Sequence, residues 1–222
     1  MVYITGDMHG EQRVNEIIDF LNSHPETTNL IILGDFGGIW DRNDETIIKE
    51  LSNQRANILF IDGNHENFDL LEQSPIENWH GGKVHRISHN VLHLMRGSVF
   101  EIECKSYFAY GGAESSDKDK RIEHISWWEQ ETATEKEILS AQRTLQDIRS
   151  VDYIITHVGQ METVQELSRF SDKFSVERQS VIVSKLLKNT TCARWYFGHY
   201  HFDVDFCNYS CVYKRFIQVN GR

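Results

Sequence analysis

Asp, Asn and His fall in five short clusters along the chain: Gly6-Asp7-Met8-His9-Gly10, Gly34-Asp35, Gly63-Asn64-His65-Glu66, His157, and Gly198-His199-Tyr200-His201. Together they make a mixed oxygen and nitrogen donor set. Such a set suits manganese, iron or zinc better than an all-carboxylate cage for calcium or a thiolate site for copper. The groups exceed the needs of one ion. Two ions about 3.5–4 Å apart, sharing a bridging carboxylate, would use them, and such pairs serve in-line displacement at phosphorus. The chemistry indicated is hydrolysis of a phosphate ester. His65 follows Asn64 directly, so their side chains point in different directions. An imidazole beside the ligands, with an unperturbed pKa near ~6.5, suits protonation of a leaving oxygen.

Each cluster sits just after a short apolar run rich in β-branched or aromatic residues: Val2-Tyr3-Ile4-Thr5, Leu30-Ile31-Ile32-Leu33, Ile58-Leu59-Phe60-Ile61, Tyr153-Ile154-Ile155-Thr156 and Arg194-Trp195-Tyr196-Phe197. These read as buried strands. In open α/β sheets the rim at the carboxyl ends of neighbouring strands is where sites form, so distant residues gather in one pocket. Glycine beside most of the clusters lets the backbone turn sharply from strand to loop and approach a metal or phosphate closely.

Up to about residue 75 strands alternate with helices, the helical candidates being 11–22, with Val14, Ile17, Ile18 and Leu21 on one face, and 42–54. That series implies a parallel sheet. Between Lys83 and Tyr110 the texture changes to short strands at roughly 83–88, 91–95, 98–103 and 106–110, predicting an antiparallel meander. A helix is expected at 134–149, with Ile138, Leu145 and Ile148 on its apolar face, a strand at 151–156, and a helix at about 175–189 carrying Val176, Ile182, Val183, Leu186 and Leu187. The tail from Trp195 to Val219 reads as three more strands. The fold class that results is α/β: a four-layer α/β/β/α sandwich of two mixed sheets flanked by helices. At 222 residues the chain is expected to form a single domain with a substantial core.

The formal net charge of −10 argues against a surface for long nucleic-acid backbones, which calls for clustered Lys and Arg. It leaves room for a small phosphate ester, since a pocket holding divalent cations is locally positive whatever the total. Cys104, Cys192, Cys207 and Cys211 lack zinc-type spacing and are expected to be reduced packing residues. With the first strand starting at Val2, no signal core or bilayer-crossing stretch is expected, and a cytoplasmic location with no membrane partner follows. The oligomeric state is left open.

In their order, Asp-x-His, Gly-Asp, Gly-Asn-His-Glu, His and Gly-His-x-His, the five clusters resemble the calcineurin-like metallophosphoesterase superfamily, in its bacterial and phage branch, over positions 6 to 201. The resemblance implies that Asp7, His9 and His201 hold one divalent metal and Asn64, His157 and His199 another, with Asp35 bridging them. It implies a bridging hydroxide as nucleophile and His65 as the general acid. The two ions would be Mn2+, with Fe, Zn or Mg as alternatives. The family fold is also a four-layer sandwich.

Two departures bear on substrate. Protein Ser/Thr phosphatases of this superfamily follow Gly-Asp with Val-Asp-Arg-Gly, whereas here Asp35 runs into Phe36-Gly37-Gly38-Ile39-Trp40 and Asp41-Arg42 arrives later. This counts against a protein phosphatase, which stands as the alternative beside a non-catalytic metal-binding scaffold for a partner protein. His157 is followed by Val158-Gly159 where family members often carry Pro. Taken alone, an Asp at a strand end is more often a turn or cap than a ligand; the company of the other clusters reverses that reading. The histidines outside the clusters, His24, His80, His85, His89, His93 and His124, are expected at the surface or in packing. The polar segment at about 112–133, with Trp127-Trp128 inside it, is read as an insertion that caps the pocket or as a solvated loop pinned by tryptophan packing. In the first case Lys118 or Arg121 would reach a substrate phosphate.

Overall fold

The computed structural model describes residues 1–41 and 45–219. The strands are β1 (Val2–Thr5), β2 (Asn29–Ile32), β3 (Asn57–Phe60), β4 (Ile76–Trp79), β5 (Gly82–Arg86), β6 (Val91–Leu94), β7 (Ser98–Ile102), β8 (Lys105–Tyr110), β9 (Ser150–Thr156), β10 (Thr191–Phe197), β11 (Val204–Phe206), β12 (Tyr209–Cys211) and β13 (Ile217–Gln218). The α-helices are α1 (Val14–Ser23), α2 (Thr46–Ser52), α3 (Phe68–Leu71), α4 (Glu135–Leu145), α5 (Met161–Leu167) and α6 (Arg178–Leu187). One sheet has the order β13-β1-β2-β3-β6-β5-β4, the other β11-β12-β10-β9-β8-β7. Within them β1, β2, β3 and β6 run parallel, as do β8, β9, β10 and β12.

The strand sequences are apolar on both faces because both faces are covered. Alternate residues point to opposite sides of a strand. Ile4, Ile31, Leu59, Ile61, Tyr153 and Ile155 enter a core between the two sheets. Their neighbours Tyr3, Leu30, Ile32, Ile58 and Phe60 face outward and pack with Val14, Ile17, Leu21, Ile47, Leu51 and Phe68 of the first helical layer. On the far side Ile154, Phe108 and Phe197 pack with Ala141, Val164, Leu167, Val183 and Leu187 of the second. Three cores separate four layers, so the expected sandwich of mixed sheets and flanking helices is observed.

Several expectations need correction. The strands between 82 and 110 are not one meander: β5 and β6 belong to the first sheet, β7 and β8 to the second, so the chain changes sheets at Met95-Arg96-Gly97. Edge strand β4 has no counterpart among the expected strands because Ile76, Glu77 and Asn78 are exposed and carry no apolar pattern. Helix α5 is too short to show a clear period, and Val176 lies ahead of α6, which begins at Arg178. Ile148 likewise lies beyond the end of α4. The expected helix start at 42, with Arg42, lies outside the described residues. Beyond β10 the tail does form three short strands. All four cysteines are free, yet only Cys211 is buried; Cys104 and Cys207 are exposed at left-handed turn positions, φ 60 and 51. His85 and His93 are buried and stacked on one another.

The crossing between sheets is tied down by charge. Arg96 donates to Asp62, just beyond β3, and to the carbonyl oxygens of Gln130 at 2.7 Å and Glu131 at 3.3 Å. Both side chains of the Arg96–Asp62 pair are almost fully buried. Removing one member of a buried ion pair leaves the other uncompensated. Arg96→Ala is expected to cost about 3–5 kcal/mol of unfolding free energy in urea denaturation. A loss of less than ~1 kcal/mol, the scale of a surface pair, would show the pair to be dispensable.

Candidate metal centre

Parallel register brings the clusters level. Thr5 lies beside Ile32 and Ile32 beside Phe60, so the loops carrying Asp7, Asp35 and Asn64 leave the first sheet side by side. In the second sheet Thr156 lies beside Phe197, so His157 and His199 leave together. The two rims are then sewn to one another. The imidazole of His157 meets the Leu33 carbonyl at 2.6 Å through Nδ1, and the backbone N–H of His199 donates to Asp7 Oδ1 at 2.9 Å. Gly63 allows the close approach: a Cβ there would collide with the Asp35 carboxylate and the His157 ring. At Gly34 the backbone is left-handed, φ 96, and a Cβ would strike His157.

Among the described residues, Asp7, His9, Asp35 and His201 present donor atoms within 4.8 Å of one another, and Asp35, His157 and His199 do the same. Asp35 belongs to both groups. His9 Nε2 and His201 Nε2 are 2.8 Å apart, His201 Nε2 is 3.1 Å from Asp7 Oδ2, and His157 Nε2 is 3.4 Å from Asp35 Oδ1. Ring nitrogens that close share either a proton or a cation. His9, Asp35, His199 and His201 all have positive φ, 53, 44, 67 and 48. Such backbone costs of order 1–3 kcal/mol per residue and persists where the surroundings over-determine it.

The other ends of the donor groups are already committed. Asp35 Oδ1 accepts from His65 N at 2.8 Å, Asp7 Oδ1 accepts from His199 N, and His157 uses Nδ1 on Leu33, which leaves Nε2 with the lone pair. Asn64 Nδ2 donates to Ser115 Oγ at 3.1 Å. What remains is Asp7 Oδ2, Asn64 Oδ1 and His157 Nε2, all buried and none hydrogen-bonded. Buried polar atoms are normally satisfied. Three unsatisfied polar atoms on separate loops of the two rims, all oxygen or imidazole nitrogen, fit divalent cations.

Burial would by itself raise Asp35, but His157, followed by His65 and His9, overrides it and holds this carboxyl well below the usual range. Burial opposes a charge on His157 too, yet in the absence of a cation Asp35 beside it pushes the imidazole up to about 10; a bound cation would displace that proton and use the Nε2 lone pair. His65 moves the other way. Burial lowers it, and the Arg121 cation acts in the same direction against Asp35.

Six of the seven proposed ligands lie in these two groups; Asn64 follows Gly63, which packs on Asp35 and His157, and the His65 ring is 5.3 Å from that of His9. Of the two candidate substrate contacts of the insertion, Arg121 is brought to the site and Lys118 is not. Arg121 Nη1 reaches His65 Nδ1 at 3.5 Å, held by Ser126 O at 3.2 Å and Asp117 at 2.8 Å. Lys118 is about half exposed and faces Glu114 at 3.4 Å.

Other residues had no motif to mark them. Buried Arg13 donates to the carbonyls of Asp7 and Tyr213, fastening the first cluster to the tail. Glu177 stands 3.5 Å from His199 Nε2 and also accepts from Glu114 N. Ser115 and Glu131 are buried side chains of the insertion. Each is a single polar residue in a polar stretch.

A family model described as calcineurin-like phosphoesterase matches residues 1–203. No curated protein sequence matches the chain. Among solved structures, that of TT1561 from Thermus thermophilus is similar, at 10% identity and a TM-score of 0.48, over 89% of this chain and 80% of that one.

Since Asp35 belongs to both donor groups, Asp35→Asn is expected to weaken cation binding more than loss of a ligand in either group alone. Saturating Mn2+ at about 1,000 times Kd should stabilise the native protein by about 4 kcal/mol, and Asp35→Asn should remove most of it. Thermal melts with Mn2+ and with EDTA read this directly. Equal metal-induced shifts in Asp35→Asn and the parent would refute the shared role.

Proposed function

Because the chain belongs to the calcineurin-like phosphoesterase family, we propose that it hydrolyses a small phosphate ester with two divalent cations, Mn2+ before Fe, Zn or Mg. The carrying observation is the pair of donor groups that share Asp35. Asp7, His9, Asp35 and His201 would hold one cation, and Asp35, Asn64, His157 and His199 the other. When bound, such cations supply the positive charge that draws in a phosphate and lowers the pKa of the attacking water.

The chain's own contribution lies on the leaving-group side. A guanidinium can only donate, so the contact with Arg121 makes His65 Nδ1 the accepting atom and leaves the ring proton on Nε2. To act as the acid the ring first takes a second proton at Nδ1 as Arg121 turns to the phosphoryl group, and Nε2 then gives its proton to the departing oxygen, which returns a neutral imidazole. Arg121, 17% exposed, is the cation best placed to meet a phosphoryl oxygen with its planar fork.

A cleft of about 340 Å³ is lined by Trp40, Asp41, Asn67, Asp69, Leu70 and His124. Its walls continue the three segments that carry Asp35, His65 and Arg121. Asn67 Nδ2 holds the Trp40 carbonyl at 2.9 Å, and Asp69 holds both Trp128 Nε1 and His124. This is room for a small leaving group, and its two carboxylates disfavour a polyanionic one. With a net charge of −10, nucleic acid is disfavoured as well. Among the described residues no helix is long and apolar enough to cross a membrane.

The proposal predicts Mn2+-dependent turnover of p-nitrophenyl phosphate or its bis ester. His65→Ala should lower kcat by about 10²–10⁴, the range for a general acid, while Mn2+ affinity by calorimetry stays within a few-fold of the parent. Unchanged kcat would remove His65 from the mechanism. Arg121→Ala should raise KM as well as lower kcat. A fall in kcat alone would limit Arg121 to the histidine.

A further inference from the structure

An asparagine amide has nearly the same shape at its two ends and opposite chemistry: the oxygen accepts, the nitrogen donates. Only the oxygen can serve a cation. Packing cannot tell the two apart, so a hydrogen-bond partner must choose. At Asn64 the partner is Ser115, whose Oγ receives Nδ2 at 3.1 Å and leaves Oδ1 buried and unpartnered.

A hydroxyl can donate as well as accept, so Ser115 fixes the amide only if its own proton is engaged elsewhere. Glu131 offers it an acceptor: Oε2 takes the Ser115 backbone N–H at 3.2 Å, and Oε1 is buried with no partner of its own. Ser115 and Glu131 are 3% and 1% exposed, which shuts out water as a competing partner. Glu131 is itself anchored, since its backbone carbonyl accepts from Ala113 N at 3.0 Å and from Arg96 at 3.3 Å. The direction of each bond follows from the one before it. With Glu131 accepting, the hydroxyl donates to it; the hydroxyl lone pair then accepts from Nδ2, and Oδ1 is left buried and open to a cation.

We propose that Glu131 and Ser115 are positioning residues that set the polarity of the Asn64 amide, an inference that rests on the reading of Asn64 as a cation ligand. The segment from Gly112 to Glu131 is then a working part of the metal centre, besides whatever it does for substrate. Its first turn aims a ligand, and Arg121 touches the neighbouring His65.

The test is Mn2+ affinity of the whole protein by titration calorimetry. Asn64→Ala must first weaken binding; if it does not, the ligand reading itself fails. Given that, Ser115→Ala should weaken affinity about 10–100-fold, the usual effect of removing a group that orients a ligand. Glu131→Leu should do the same, whereas Glu131→Gln, whose amide oxygen can still accept from Ser115, should stay near the parent.

The deciding measurement is made in Asn64→Asp, which presents an oxygen in either orientation. There Ser115→Ala should have little effect, a coupling that general damage to the fold would not produce. An undiminished affinity in Ser115→Ala, with Asn64→Ala impaired, would overturn the inference. An equal loss from Ser115→Ala in both backgrounds would overturn it too.

Discussion

Two carboxylates, Asp7 and Asp35, are buried to 0% and 2% exposure where the rims of the two sheets meet. Removing an ionised carboxylate from water is costly unless it is paired and hydrogen-bonded, so much of the local structure answers that demand. Backbone N–H groups of His199 and His65 take one oxygen of each. Imidazoles of His9 and His201 stand within 4 Å of the other oxygens, and that of His157 within 4 Å of Asp35 Oδ1. The left-handed backbone at four of these residues is what lets loops from different strands close this tightly. The same charge that makes the site expensive to build makes it a strong attractor for cations.

This constraint explains which parts were legible in the sequence. A carboxylate or imidazole buried at a strand exit must follow an apolar run and adjoin residues that can turn sharply, and both marks are local. The five clusters could be recognised for that reason, and the strands that lead to them carried continuous apolar runs because both faces are covered. Where burial is one-sided or absent the marks fade. Strand β4 is an exposed edge, and α5 is only two turns long. Arg13, Ser115, Glu131 and Glu177 act through contacts made in three dimensions by residues scattered along the chain, so no spacing could have announced them.

The segment from Gly112 to Trp128 admits two readings from sequence, a cap over the pocket or a loop pinned by tryptophan. Its anchoring combines features of both. Trp128 is fully buried in the first helical core, with its Nε1 on Asp69, and Trp40 packs edge-on against it at 5.4 Å. Arg96, at the crossing between sheets, reaches the far end of the segment through the Gln130 and Glu131 carbonyls. A polar stretch cannot order itself by apolar burial, so it is ordered by one large aromatic and a few buried polar groups. Residues 116–120 and 122–125 stay exposed, which fits a region whose surface can change while its anchors persist.

Glu66 shows how closely the clusters depend on one another. It follows His65 in sequence, yet its carboxyl accepts from Phe36 N at 2.7 Å, Gly37 N at 3.2 Å and Gly63 N at 3.4 Å. It therefore binds the loop of Asp35 to the loop of Asn64. Burial, followed by the nearby Asp35, pushes this carboxyl up to about 8 in spite of the backbone donors. A glutamate kept there against such opposition must be doing something the backbone cannot do alone. Phe36 packs face to face on Phe60, which sets the start of the loop, while Gly37 is left-handed and close to Gly10. Without a group to gather the three N–H donors, the turn after Asp35 would hold buried donors with no acceptor. The last residue of the Gly-Asn-His-Glu cluster thus secures the backbone that carries Asp35, which is why a residue outside the proposed metal site belongs in the same short motif as the proposed ligand Asn64 and the proposed acid His65.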